Sequence, residues 1–137
     1  MATAFYEEIG GEQVVRRLVN SFYDLMDSNP AYADIRALHA SNLKVSREKQ
    51  FAFLSGWLGG PPLYHQRYGN PMLRARHLPF PIGERERDQW IGCMKEAMEQ
   101  VGVEAPLREE ILAALYRVAD FMRNSDGAFT VRPAVQK

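Results

Sequence analysis

Much is scarce in this chain, and each scarcity removes a class of explanation. Cys93 is the only cysteine, so no intrachain disulfide can form and no cysteine-based metal cluster can be built. The three histidines, His39, His65 and His77, show no paired spacing along a helix, which argues against a structural zinc site. No Cys-x-x-Cys-His run is present for covalent haem attachment, and no Walker-type loop for phosphate. Gly10-Gly11 and Gly59-Gly60 lack the surrounding residues of a phosphate cradle and read as helix punctuation. An excess of either charge is missing too. Lys+Arg and Asp+Glu both number 17, so no general field favours nucleic acid or an anionic membrane. No apolar run approaches the roughly 20 residues that span a bilayer. Nor does a charged segment followed by an apolar run open the chain, and a cytoplasmic protein is expected.

What remains reads as one soluble, globular, all-α domain. At 137 residues, with 46% hydrophobic and 25% charged, the chain can bury a real core. Apolar residues recur at helical spacing almost throughout, and strand-like alternation is nearly absent. Val14, Leu18, Phe22 and Leu25, flanked by Val15, Val19, Tyr23 and Met26, mark a helix from about Gly11 to Asp27, ended by Asn29-Pro30. One or two helical turns, including His39, fit between Ala31 and Val45. A second major helix is expected from Ser46 to about Leu58, stopped by Gly59-Gly60-Pro61-Pro62. Tyr64 to Asn70 reads as a connecting segment. Glu84 and Glu86 suit the positive end of a third helix, from about Glu84 to Val101. Pro106 opens the last one, with Ile111, Leu115, Val118 and Met122 as its buried stripe. Residues 1–123 then form a single domain, and residues 124–137 a loosely held tail.

The stretch Arg74-Ala75-Arg76-His77-Leu78-Pro79-Phe80-Pro81 stands out. Proline at 79 disfavours a helix continuing through His77, because its ring clashes one turn back and its predecessor is pushed out of α geometry. His77 is therefore expected on the last turn of a short, rigidly held helix. An imidazole held there is suited to ligating a metal, with the arginines neutralising carboxylates beside it. The ordinary alternative, a half-buried histidine capping a helix with its arginines in solvent, stays open on this window alone.

Other residues break the pattern of a plain bundle. Tyr23 lies on the stripe of Val15 and Val19, and a buried phenol without a partner costs about 1–3 kcal/mol. Ser46, Gln50, Phe53 and Trp57 share one face, so polar and large aromatic side chains point the same way. That face is either a helix edge or the wall of a polar-lined cavity. Trp90 shares a face with Met94 and Ala97, and its indole N–H must find an acceptor if buried. Cys93, beside Met94, reads as a small core residue.

Taken together, the segments resemble the group II truncated haemoglobins of bacteria and plants. The resemblance is carried by Phe22-Tyr23, Gly56-Trp57-Leu58-Gly59-Gly60-Pro61, Leu63-Tyr64, Arg74-Ala75-Arg76-His77-Leu78-Pro79-Phe80 and Glu86-Arg87-Asp88-Gln89-Trp90, and covers about residues 5 to 123. It implies a truncated globin-like two-over-two helical sandwich around one non-covalent haem b. By position it implies His77 as the iron ligand and Arg76 as a propionate partner, joined by Tyr64 and Lys49. Tyr23, His39 and Trp90 correspond to the family's distal hydrogen-bonding residues, with Ser46 and Gln50 facing the ligand. His39 depends on the register of the short segment before it, since Leu38 would take its place after a one-residue shift. Phe53, Leu54, Met94 and Phe80 are implied as cofactor contacts.

The resemblance also implies dioxygen and other small gases as ligands, and either turnover of nitric oxide or peroxide, or binding without turnover. Turnover would require a separate reductase, since the chain carries no flavin or nicotinamide motif. A monomer or homodimer is expected.

Overall fold

The computed structural model describes residues 5–124. They form α1 (Phe5–Ile9), α2 (Gly11–Ser28), a 3-10 turn (Pro30–Tyr32), α3 (Ala33–Ala37), α4 (Lys44–Trp57), α5 (Leu63–Tyr68), α6 (Leu73–His77), α7 (Glu84–Gln100) and α8 (Ala105–Phe121). No strand occurs among the described residues.

The long helices follow the apolar stripes. On α2, Val15, Val19 and Phe22 are fully enclosed, and Leu18 and Met26 are 1% exposed. Cys93, Met94, Ala97 and Met98 of α7 are all 0% exposed, and Ile111 and Leu115 of α8 meet the same core. Burial of a single side chain of this size contributes about 1.5–3 kcal/mol, so the shared core, not helix propensity, holds these elements. Helix α2 packs on α4 and on α7, and α7 packs on α8, which gives two helix pairs laid one over the other. Among the described residues, α4 makes no comparably extensive contact with α7 or α8.

Three local features differ from the sequence expectation. Helix α4 begins at Lys44, ahead of Ser46, because the Asn42 side chain accepts from the Lys44 amide at 2.8 Å and satisfies the helix start. The segment after Pro61-Pro62 is not a connector but a helix, α5. Proline is compatible with a helix start as well as with a stop, and Gly69, at φ 84, ends the helix. Helix α1 has no counterpart in the sequence reading. It is tied down by the Tyr6 amide, which donates to the Leu58 carbonyl at 2.8 Å. The Tyr6 ring lies so close to Gly60 that any side chain there would collide with it. Of the expected tail, residues 125–137 lie outside the described residues, but Asn124 belongs to the body of the domain. Its amide donates to the Ile82 carbonyl at 2.8 Å.

Candidate functional site

His77 ends α6 two residues before Pro79, but Leu78, directly before the proline, keeps α geometry at φ -56 and ψ -34, so the stop goes with the amide N–H that Pro79 lacks and not with a displaced predecessor. Its Nδ1 lies 2.6 Å from the Leu73 carbonyl oxygen one turn back. A carbonyl can only accept, so Nδ1 carries the proton and the neutral ring keeps its lone pair on Nε2. That is the tautomer a metal ligand needs, with its second nitrogen engaged.

Two polar rings meet Phe22, which is itself fully buried, and a third stands against one of them. Tyr23 meets Phe22 edge-on at 5.0 Å between centroids, and Trp90 meets it at 5.3 Å. His39 stands edge-on to Tyr23 at 5.7 Å. Tyr23, His39 and Trp90 are thus linked through ring contacts, with His39 standing against the ring of Tyr23. Tyr23 is 4% exposed. Among the described residues, neither its hydroxyl nor the Trp90 indole N–H finds a hydrogen-bond partner. Burial holds the Tyr23 phenol far above the usual tyrosine range, against a smaller opposing pull from Arg47, so it stays a protonated donor. The Arg47 guanidinium lies 5.9 Å from the Tyr23 ring centroid and is anchored to Asp24 at 2.8 Å.

His39 differs from the expected donor. Its Nδ1 lies 2.8 Å from the Ile35 carbonyl oxygen, so the neutral ring offers Nε2 only as an acceptor. Burial lowers its pKa from the usual 6.5, opposed by the bond to Ile35 and reinforced by Arg36 and His77.

On α4, Ser46, Gln50, Phe53 and Trp57 are all half-buried, as a cavity wall would be. Leu54 and Met94, by contrast, are 1% and 0% exposed and packed into the core. They back the wall, while Phe53 and Trp57 supply its surface. Phe53 lines a cavity of about 600 Å³ together with Leu73, Arg74, Val118, Phe121 and Met122. Tyr64 is buried and stacks obliquely on Tyr68 at 4.9 Å, and the Lys49 ammonium lies 5.4 Å from the Tyr68 ring. Arg76 is exposed and donates through Nε to the Pro71 carbonyl at 2.7 Å. Phe80 is 41% exposed.

The residues fit a haem. Met72, Leu78 and Phe80 flank His77 along the chain and are 58%, 56% and 41% exposed. Exposed large apolar side chains concentrated within five residues of His77 suit an apolar occupant. Basic side chains, Lys49 and Arg76, are available for an occupant's carboxylates. Tyr23 is 4% exposed, and its hydroxyl, without a partner among the described residues, is free to donate to an occupant.

Two-over-two packing, a one-turn helix carrying an imidazole, and polar rings around Phe22 define a truncated-globin-type haem protein. Comparisons with known proteins give the same class. The bacterial-like globin family matches residues 4–124. The chain is 44% identical over 123 residues to a group 2 truncated haemoglobin of Bacillus subtilis, covering 90% of each chain. Its structure is similar to that of the group II two-on-two haemoglobin of Agrobacterium tumefaciens, with TM-score 0.84, 47% identity, and 88% and 93% of the two chains covered. It is also similar to a truncated haemoglobin of the Antarctic bacterium Pseudoalteromonas haloplanktis, with TM-score 0.84, 38% identity, and 88% and 97% covered. The chain belongs to the bacterial-like globin family and, within it, to the group 2 truncated haemoglobins. It is a haem-based oxygen-binding protein. No helix among the described residues is long and apolar enough to cross a membrane.

Sequence reasoning missed Phe22 as the hub of the distal rings, although it adjoins Tyr23 on the same stripe. It also missed Asn124 and the anchoring role of Arg74. Their contacts join residues more than 40 positions apart, which no local pattern encodes.

Proposed function

We propose that this chain holds a non-covalent haem b through His77 alone and retains small diatomic ligands by hydrogen bonds from Tyr23 and Trp90. When bound, the haem supplies an iron that takes dioxygen and related gases. The protein's part is to hold, orient and exclude water. The Nε2 lone pair of His77 would hold the iron, and the bond from Nδ1 to the Leu73 carbonyl fixes the ring. Arg76, Lys49 and Tyr64 are the proposed partners of the haem carboxylates. Phe53 and Phe80 give apolar contact, with Leu54 and Met94 behind. Ser46 and Gln50 add polar groups on the α4 wall. Neutral His39 presents Nε2 as an acceptor able to take up a proton, and leaves the single phenol hydrogen of Tyr23 for the ligand.

One observation carries this reading. Two donors, a phenol hydroxyl and an indole N–H, are left without partners on rings wedged against Phe22. Donors preorganised in an apolar setting hold a partly negative ligand far better than water does. Slow release follows, which suits chemistry on the bound gas better than delivery. A Bacillus subtilis relative of known structure is described as oxygen-avid, which agrees. The proposed role is therefore conversion of nitric oxide or reduction of peroxide, with electrons from a separate reductase, by a cytoplasmic monomer or homodimer. The alternative is binding, scavenging or sensing of oxygen, nitric oxide or sulfide without turnover.

Stopped-flow measurement of oxygen release tests the retention. Release as fast as from an ordinary oxygen store would remove it. Repeated consumption of nitric oxide or peroxide with a reductase present supports turnover; a single stoichiometric event leaves the binding reading.

A further inference from the structure

Helix α6 is too short to stand alone and has little under it. Five residues cannot offset the nucleation cost of a helix in water. None of its residues is buried, and it makes no extensive packing contact with another helix among the described residues. Its entrance is strained: Met72, at φ 46, is the one non-glycine residue with positive φ among the described residues. Yet this helix must aim His77.

Polar contacts with the end of α8 fill the gap. The Arg74 guanidinium donates through one nitrogen to the Phe121 carbonyl at 3.2 Å and the Arg123 carbonyl at 3.1 Å. These are carbonyls of the last turn and exit of α8, where no further helical turn supplies donors and a cation is favoured. Asn124 closes the other side. Its Nδ2 donates to the His77 carbonyl at 3.2 Å, and its Oδ1 accepts from the Ile82 amide at 3.0 Å. Its own amide donates to the Ile82 carbonyl. The two ends of the turn after His77 are therefore joined through one side chain.

We infer that Arg74 and Asn124 are positioning residues that clamp the His77 turn to the end of α8 and so set the orientation of the iron ligand. This rests on His77 being that ligand. Asn124 reaches the His77 backbone, not its ring, and acts by holding the turn that carries the ring. Both amide functions of Asn124 are used, so Asp, which lacks the Nδ2 donor, cannot substitute fully. Lys in place of Arg74 keeps the charge but not the guanidinium geometry.

The test compares the haem-loaded protein with Asn124→Ala, Asn124→Asp, Arg74→Ala and Arg74→Lys. Resonance Raman of the ferrous protein reads the iron–histidine stretch. Transfer of haem to excess apo-globin reads its loss. Carbon monoxide stretching frequencies read the Tyr23 and Trp90 side. Asn124→Ala and Arg74→Ala are expected to shift or broaden the iron–histidine band and to speed haem loss by about tenfold. The carbon monoxide frequency should stay unchanged, and the Asp and Lys variants should fall between. An unchanged iron–histidine band in both alanine variants would overturn the clamp. So would equal changes on both sides of the haem, which would mean general loosening. Absence of an iron–histidine band in the unmodified protein would instead reject the His77 assignment.

Discussion

His77 and His39 are held by the same local device. Each imidazole sets Nδ1 against the carbonyl oxygen four residues earlier, at 2.6 Å to Leu73 and 2.8 Å to Ile35. Each therefore keeps Nε2 as its free nitrogen and, when neutral, a lone pair there. Burial lowers the pKa of His39 and keeps that form dominant near neutral pH. The two histidines are thus prepared alike, and their different surroundings give them different work.

His77→Ala is expected to abolish axial ligation while leaving the helical fold intact, because His77 is only part-buried and outside the core cluster. Haemin titration followed at the Soret band, with circular dichroism alongside, measures both. Unchanged haem content and ligand spectra would reject the assignment.

Trp90→Phe keeps most of the bulk against Phe22 and removes the N–H donor. Loss of one such bond, about 1–1.5 kcal/mol, corresponds to oxygen release faster by roughly tenfold. Tyr23→Phe is expected to act in the same direction. If Trp90→Phe leaves the dissociation rate where it was, the indole is packing only.

Phe22 is the shared support of the Tyr23 and Trp90 rings. Truncation to Ala opens a cavity in the fully enclosed core and should cost about 3–5 kcal/mol. Denaturant unfolding of the haem-loaded protein gives the stability change. Oxygen release should also quicken, since both donors lose their backing.

The pH dependence follows from His39. Its folded pKa lies below 6.5, so the unfolded chain binds the proton more tightly. The associated stability is present above pH 6.5 and is lost as pH falls through the lowered folded value. Melting temperature should decline across that window in the unmodified protein, and His39→Gln should flatten this component. Equal slopes in the two proteins would show that His39 is not the group responsible.

Cys93 should be chemically silent. It is completely buried, its thiol is 3.2 Å from the Phe22 carbonyl oxygen, and burial, with help from Glu96, pushes its pKa up to about 12. A thiol reagent at pH 8 is expected to label it only after unfolding. Rapid labelling of the folded protein would contradict the burial.

The long helices were legible in the sequence because their stripes repeat over several turns, and each stripe reports its own burial. The Pro79 stop placed His77 at the end of a one-turn helix for the same local reason. The proline pair at 61 and 62 marked the end of α4 correctly but hid the start of α5, since proline serves helix starts and stops alike. Lone polar residues on apolar stripes, Tyr23 and Trp90, marked the site without revealing what they face. Tertiary structure alone decided that Phe22 would wedge both of those rings and that His39 would meet Tyr23. It alone also brought Asn124 under the His77 turn. Periodicity records which face of a helix is buried. The partner on that face depends on how distant segments meet, and this is set by the joint packing of α2, α4, α7 and α8.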